Sequence, residues 1–251
     1  MTGKIQRGVA SVEVAGTILH TLRTSQVPRS LQELANLSGL SPPRLHHYLV
    51  SLIRIGLVRR DPAGYSLGSF ALELGLVAAD NLDLQHTSAT WLRKLSAETG
   101  QSSFFSIGSP RGALIVRWEQ GSRPLIVHAR LGTVMPILTS ATGLVWLCFD
   151  PENSARIFEA ELRRIEPSLR QRVREARLLE AAEVRKQSIA VARGSMIGNV
   201  NALASPVISR SAKFAGILTI LGLGNYFDAD PGGNSAKQLR FCATSFGKRL
   251  P

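Results

Sequence analysis

Five residues, Gly39-Leu40-Ser41-Pro42-Pro43, constrain this chain more than any other stretch. Proline has no amide hydrogen and a fixed φ, so two in succession are excluded from a helix interior but tolerated in a first helical turn. A helix can therefore begin at Pro42 with Ser41 as its cap, while Gly39 gives the permissive backbone on which a preceding helix stops. That preceding helix starts after a second capping serine, Ser30, and carries apolar side chains at Leu31, Leu34, Ala35 and Leu37. Two short helices joined by a tight turn are the result.

The second helix, Pro42 to Ile55, divides by face at about 100° per residue. Leu45, Leu49, Leu52 and Ile53 fall on one side, and Pro43, Arg44, His47, Ser51 and Arg54 on the other, flanked by His46 and Tyr48. A solvated surface helix shares this amphipathic layout. Here the polar side holds arginine, histidine and serine and no carboxylate, which suits a partner rich in phosphate. Upstream, Val14, Ile18 and Leu22 recur every four residues with Leu19 alongside, predicting a further helix over Ser11–Leu22. Downstream, Leu57-Val58 reads as a strand, Asp61 to Gly64 as a turn and Tyr65-Ser66-Leu67 as the return strand.

Three helices and a two-stranded wing make a winged helix-turn-helix, whose second helix of the pair enters the major groove. Arg44, His47, Ser51 and Arg54 are then the groove-facing candidates, with His46 and Tyr48 beside them; arginine and histidine can donate to guanine edges. Arg29, Arg59 and Arg60 would position the protein on phosphate, and Ser30 and Ser41, at the two helix starts, complete the candidate DNA-contacting set.

Charge supports a polyanionic partner without naming it. The formal net charge of the 251-residue chain is +12, and residues 1–67 hold eight Lys or Arg against three acids. Such a surface gains affinity for polyanions by counterion release, RNA and anionic lipid included. Residues 1–10 read as an untethered basic terminus. No run approaches the roughly 20 apolar residues that span a bilayer, and the N-terminus lacks a secretory signal. Cys148 and Cys242 are too few and too distant for a disulfide framework. A cytoplasmic protein without a membrane partner is expected.

Nothing in the sequence assembles a catalytic centre. The five histidines show no metal-ligand spacing, and His46 and His47, about 100° apart on a helix, cannot easily share one ion. No nucleophile elbow, phosphate loop or paired-carboxylate site occurs. The expectation is no enzyme, no metal and no cofactor.

Beyond the wing, a helix over 68–83 places Phe70, Leu74, Val77 and Ala78 on one face, and another over Leu84–Thr99 stops at Gly100. Strands are predicted at Ser102–Ile107, Ala113–Glu119 and Leu125–Arg130, with Ser109 to Gly112 as a hairpin turn. Thr139 or Ser140 can cap a helix to about Phe149. Residues 152–187 read as mostly helical; eight basic residues against four acids between Arg163 and Lys186 suggest a solvated face. Strands at Ile189–Arg193, Ala202–Ile208 and Ala215–Gly222 and a helix over Asn234–Lys248 complete the chain.

The segment QELANLSGLSPPRLHHYLVSLIRIGLVRRDPAGYSLGSFALELG resembles the N-terminal module of IclR-type bacterial transcriptional regulators. The resemblance continues in order through WLRKLSAETGQSSFFSI, LGTVMPILTSATGLVWL and ALASPVISRSAKFAGILTILG, and so covers most of the chain. It implies an α+β protein: a winged helix-turn-helix at 1–68, a linker and pairing helix at 69–83, and a GAF-like α/β effector-binding domain at 84–251. It also implies a double-stranded operator, a small-molecule effector and a homodimer or homotetramer as partners. By the same resemblance, effector contacts fall on Thr139, Ser140, Thr142 and Gly143, where a helix N-terminus suits a carboxylate, and on Ala202, Thr219 and Leu221 across the pocket. A constitutive DNA-binding dimer that has lost effector sensing is the alternative.

Two departures from the family pattern stand out. Pro42-Pro43 replaces small polar residues at the start of the recognition helix, which shifts base reading onto Arg44, His47, Ser51 and Arg54. RGSMIGNVNALASPV (193–207) lacks the acidic residues usual before its glycine. A less polar pocket favours an aromatic or larger hydrophobic acid over a very small one.

Overall fold

The computed structural model describes residues 8–25, 27–80, 84–123, 125, 127 and 129–251. The chain divides into two compact units, 1–82 and 83–251.

In the first unit, α1 (Ala10–Thr24), α2 (Leu31–Ser38) and α3 (Pro42–Arg54) precede the wing strands β1 (Val58–Asp61) and β2 (Gly64–Leu67) and the helix α4 (Ser69–Asp80). The three-helix core closes on Ile18, Leu22, Leu34, Ala35, Leu45, Leu49 and Leu52, with Val58 and Tyr65 from the wing. The turn between α2 and α3 is built as the composition dictates: Gly39 takes a left-handed φ of 69°, and the two prolines occupy the first turn of α3. Ser30 forms a full capping box with Glu33, whereas Ser41 occupies its N-cap without a side-chain bond. Two apolar side chains expected inside are not. Leu37 is 61% exposed, because it lies near the end of α2 on the side away from the buried Leu34 and Ala35; Ile53, on the shoulder of the α3 stripe, is 37% exposed.

The wing differs from its sequence reading in length. Asp61 pairs with Gly64, so the strands run through residues expected to form the turn and only Pro62-Ala63 lie between them. Arg29 adds a bridge to β2, exchanging backbone bonds with Tyr65 at 2.9 and 2.8 Å. Gly64 is required there: its φ is 131°, and a Cβ would lie 2.5 Å from the Arg29 carbonyl oxygen.

In the second unit, α5 (Leu84–Thr99) leads into β3 (Ser102–Ser109), β4 (Gly112–Glu119) and the short β5 (Val134–Met135). There follow α6 (Ala141–Phe149), α7 (Pro151–Leu162), α8 (Arg170–Gln187), β6 (Ala190–Arg193), β7 (Val200–Ile208), β8 (Phe214–Leu223) and α9 (Asn234–Gly247). The six strands form one antiparallel sheet in the order β5-β4-β3-β8-β7-β6. Alternation along β3 sends Phe104 to the face covered by α6–α8 and Phe105 to the face covered by α5 and α9. The strand predicted at Leu125–Arg130 is not found: Leu125, Val127, Ala129 and Arg130 lie outside any strand, and Ile126 and His128 are outside the described residues. The sheet edge is supplied instead by Val134-Met135. Cys148 and Cys242 are free, buried thiols in the two opposite cores, and burial pushes Cys242 up to about 11. No described helix is long and apolar enough to cross a membrane.

Candidate nucleic-acid interface and ligand cavity

The buried stripe of α3, Leu45, Leu49 and Leu52, turns its opposite face outward with Arg44, His47, Ser51 and Arg54 exposed along it. His46 is exposed on one flank, its ring 6.4 Å from that of His47, and Tyr48 is half-buried against the core on the other. Ser51 turns its hydroxyl back to the His47 carbonyl at 3.3 Å. Ser41 is exposed at the start of the same helix. His46 and Arg60 line a groove with Ser30, Leu31 and the wing residues Asp61 to Tyr65, so recognition helix and wing border one concave surface. An α-helix with this arrangement fits a major groove, and cations on the adjoining hairpin reach the backbone.

The phosphate candidates are not equivalent. Arg29 is already committed: Nε donates to Ser25 Oγ at 2.5 Å and Nη1 to Glu33 at 3.2 Å. Ser30 is likewise occupied, its hydroxyl shared between Glu33 Oε2 at 2.8 Å and the Glu33 amide at 3.2 Å. These contacts, led by the Ser30 amide, hold the Glu33 carboxyl below the usual carboxylate range. Arg60 lies over the Tyr65 ring at 5.4 Å, and Arg59 braces Ser66 at 2.8 Å while remaining exposed. Arg59 and Arg60 thus keep charge outward; Arg29 serves the joint between α2 and the wing.

In the second unit a small cavity opens between α6, the sheet and the β6–β7 connection. Five of the seven residues expected to face an effector line it: Ser140, Thr142, Ala202, Thr219 and Leu221. Thr139 is exposed outside it, and Gly143 is sealed, since a Cβ there would lie 2.2 Å from the Pro136 carbonyl oxygen. The glycine lets α6 pack directly on its own leading turn. Ser140 caps α6 by accepting the Gly143 amide at 2.9 Å. The amides of Ala141 and Thr142 stay free of intrahelical partners, as at any helix start. The hydroxyls of Thr142 and Thr219 meet at 2.9 Å.

The remaining wall is hydrocarbon and thioether: Phe104, Met135, Met196, Ile197 and Val200, with Ala129, Ala141 and Ala192. Among the described residues, no charged side chain lines it. Met196 and Ile197 were not legible as site residues, because they sit in a connection rather than on a strand. Their signal was their apolarity between the loop-forming glycines 194 and 198. Chemically, the cavity offers an apolar sleeve closed by a helix N-terminus, an arrangement for a ligand with an apolar body and an anionic end. Among the described residues, no group of three or more ligating side chains converges on a possible metal position.

Comparison with known proteins agrees with both units. Residues 11–62 match the IclR helix-turn-helix domain, and residues 76–247 match the family described as bacterial transcriptional regulator IclR, C-terminal. The chain is 24% identical over 246 residues to the HTH-type transcriptional regulator XynR of Escherichia coli K12, covering 96% of this chain and 97% of that one. It is similar to the crystal structure of Pseudomonas aeruginosa HmgR at 31% identity, with a TM-score of 0.60 over 96% of this chain and 98% of that one. It shares its fold with an IclR homologue from Microbacterium hydrocarbonoxydans, complexed with 4-hydroxybenzoate, at 16% identity and a TM-score of 0.75 over 94% and 97% of the chains.

Proposed function

Because this chain belongs to the IclR family of bacterial transcriptional regulators, we propose that a small organic acid, and an aromatic one by preference, sets its affinity for its operator. The chain is a DNA-binding regulator with an N-terminal helix-turn-helix and a C-terminal α/β domain. In this reading Arg44, His47, Ser51 and Arg54 meet base edges, His46, Tyr48 and Ser41 flank them, and Arg59 and Arg60 hold phosphate. Two copies pair so that two recognition helices meet two half-sites.

The observation that carries the effector reading is the cavity itself. Its walls are apolar, and its polar end is the start of α6 with Ser140, Thr142 and Thr219. A carboxylate at that end would accept the Ala141 and Thr142 amides and sit at the positive end of the helix dipole. A ring would lie among Phe104, Met135, Met196, Ile197 and Leu221. The relative complexed with 4-hydroxybenzoate supports an acid of this kind. Binding changes operator affinity only so far as the ligand favours one arrangement of the paired DNA-binding units.

Selection of DNA fragments by the purified protein supplies the operator. Isothermal titration then compares benzoate and hydroxybenzoates with pyruvate and glyoxylate. Binding of the aromatic acids with altered operator affinity is expected; exclusive binding of the small oxoacids rejects the aromatic preference.

A further inference from the structure

The turn that presents α6 to the cavity, Pro136 to Ser140, is gripped from behind by two charged side chains. Glu161 on α7 accepts the amides of Ile137 and Leu138, each at 3.0 Å. Arg177 on α8 donates from Nε and Nη2 to the Ile137 carbonyl at 2.9 and 2.6 Å, and from Nη2 to the Ser140 carbonyl at 2.6 Å. The two sides of Ile137 therefore end on opposite charges from two different helices.

Arg177 is the charged member of the buried stripe of α8, which it shares with Ala181 and Val184. Arg177 is only 8% exposed, and burial draws its pKa down while Glu180 and Glu161 oppose that shift. A buried guanidinium is tolerated when its donors are paired, and here Nη1 goes to Glu180 at 2.6 Å. An apolar side chain would fill the same space without the desolvation cost, and would hold none of these carbonyls. The planar fork of arginine is what allows one residue to span acceptors on Ile137 and Ser140.

Neither Glu161 nor Arg177 lines the cavity. We propose that they are positioning residues for ligand binding: they fix the Pro136–Ser140 turn so that Ser140 and the first amides of α6 face the ligand. The proposal rests on the reading that the cavity holds an acid. The same helix reaches the opposite wall as well. After Ser188, in a left-handed φ of 53°, the chain runs from α8 into β6, where Ala192 lines the cavity and Met196 and Ile197 follow. α8 thus holds one wall by hydrogen bonds and the other by chain continuity.

The test uses the full chain, titrated with 4-hydroxybenzoate and benzoate, in three variants. Arg177→Lys keeps the charge and loses the fork. Glu161→Gln keeps one acceptor and loses the second. Val184→Ala, a core truncation on α8 that removes no hydrogen bond to the turn, lowers stability and controls for a general loss of folding. The expected result is about tenfold weaker binding for the first two, the scale of one charge-assisted hydrogen bond, with faster amide exchange confined to residues 137–142. Val184→Ala should lower the Tm with the affinity retained. Unchanged affinity in both Arg177→Lys and Glu161→Gln, or an equal loss in Val184→Ala, overturns the positioning role alone. A wild-type protein that binds neither probe overturns the acid-binding reading, and the positioning role falls with it.

Discussion

The hydroxyl of Thr142, in the first turn of α6, lies 2.9 Å from that of Thr219 on the central strand β8. Both are buried, so each is the other's compensation for lost water. Thr142→Val strands the Thr219 hydroxyl and should cost about 1–3 kcal/mol. Changing both to valine should cost less than the two single losses together, because no orphan remains. Urea denaturation of the four proteins of the cycle measures this; strict additivity would mean that the pair does not interact.

The capping box of α2 carries a pH dependence. The Ser30 amide, the Ser30 hydroxyl and Arg29 hold the Glu33 carboxyl below its ordinary value of 4.5. A lowered folded pKa contributes stability that is fully present above the unfolded value and lost as pH falls through the folded one. The stability gap between wild type and Glu33→Gln should therefore be constant above pH 4.5 and close below it. Denaturation midpoints across that window report it, and a gap that persists in acid would remove Glu33 from the account.

How far the sequence led can be argued from single residues. Gly39, Ser30 and the paired prolines act through local backbone chemistry, which is why the helix-turn-helix was legible in one stretch. Leu37 and Ile53 were assigned inward by periodicity, and periodicity cannot say where a covering neighbour stops. Arg177 was hidden by its charged company, yet it lies four residues before Ala181 and seven before Val184, on the buried stripe of α8. That stripe was the available signal. The cavity's α6 and strand residues followed from family resemblance, whereas the Met196–Ile197 wall depends on a connection whose path no local rule sets. The expected strand near 125–130 failed for a related reason: an apolar run marks burial and not pairing.

Arginines on the DNA-binding unit should separate by function. Arg44 is exposed on the outer face of α3, and its replacement by alanine should cost about 1–3 kcal/mol at one base position. Arg60→Ala should weaken binding evenly across sequences and flatten the salt dependence. Arg29→Ala should change operator affinity little, since its guanidinium is held by Ser25 and Glu33. Competition assays against a set of single-base operator variants at two salt concentrations distinguish these outcomes. A uniform loss for Arg44→Ala would make it a phosphate contact.

The last prediction concerns pairing of subunits. Helix α4 exposes Phe70, Leu72, Leu74, Leu76 and Val77, the last at 63%, around both sides of its axis. A run of this kind on one short helix exceeds the scattered apolar exposure normal for a monomer's surface. Were α4 buried between two copies, Leu72→Glu combined with Leu76→Glu would convert the oligomer to monomer in sedimentation velocity. Operator affinity should then fall by roughly 10²–10⁴-fold, because the second half-site is no longer bound intramolecularly. Binding to a single half-site should fall far less, since neither leucine lies on α3, although both share a groove with Arg59 of the wing. An unchanged sedimentation coefficient would place the subunit contact elsewhere on the chain.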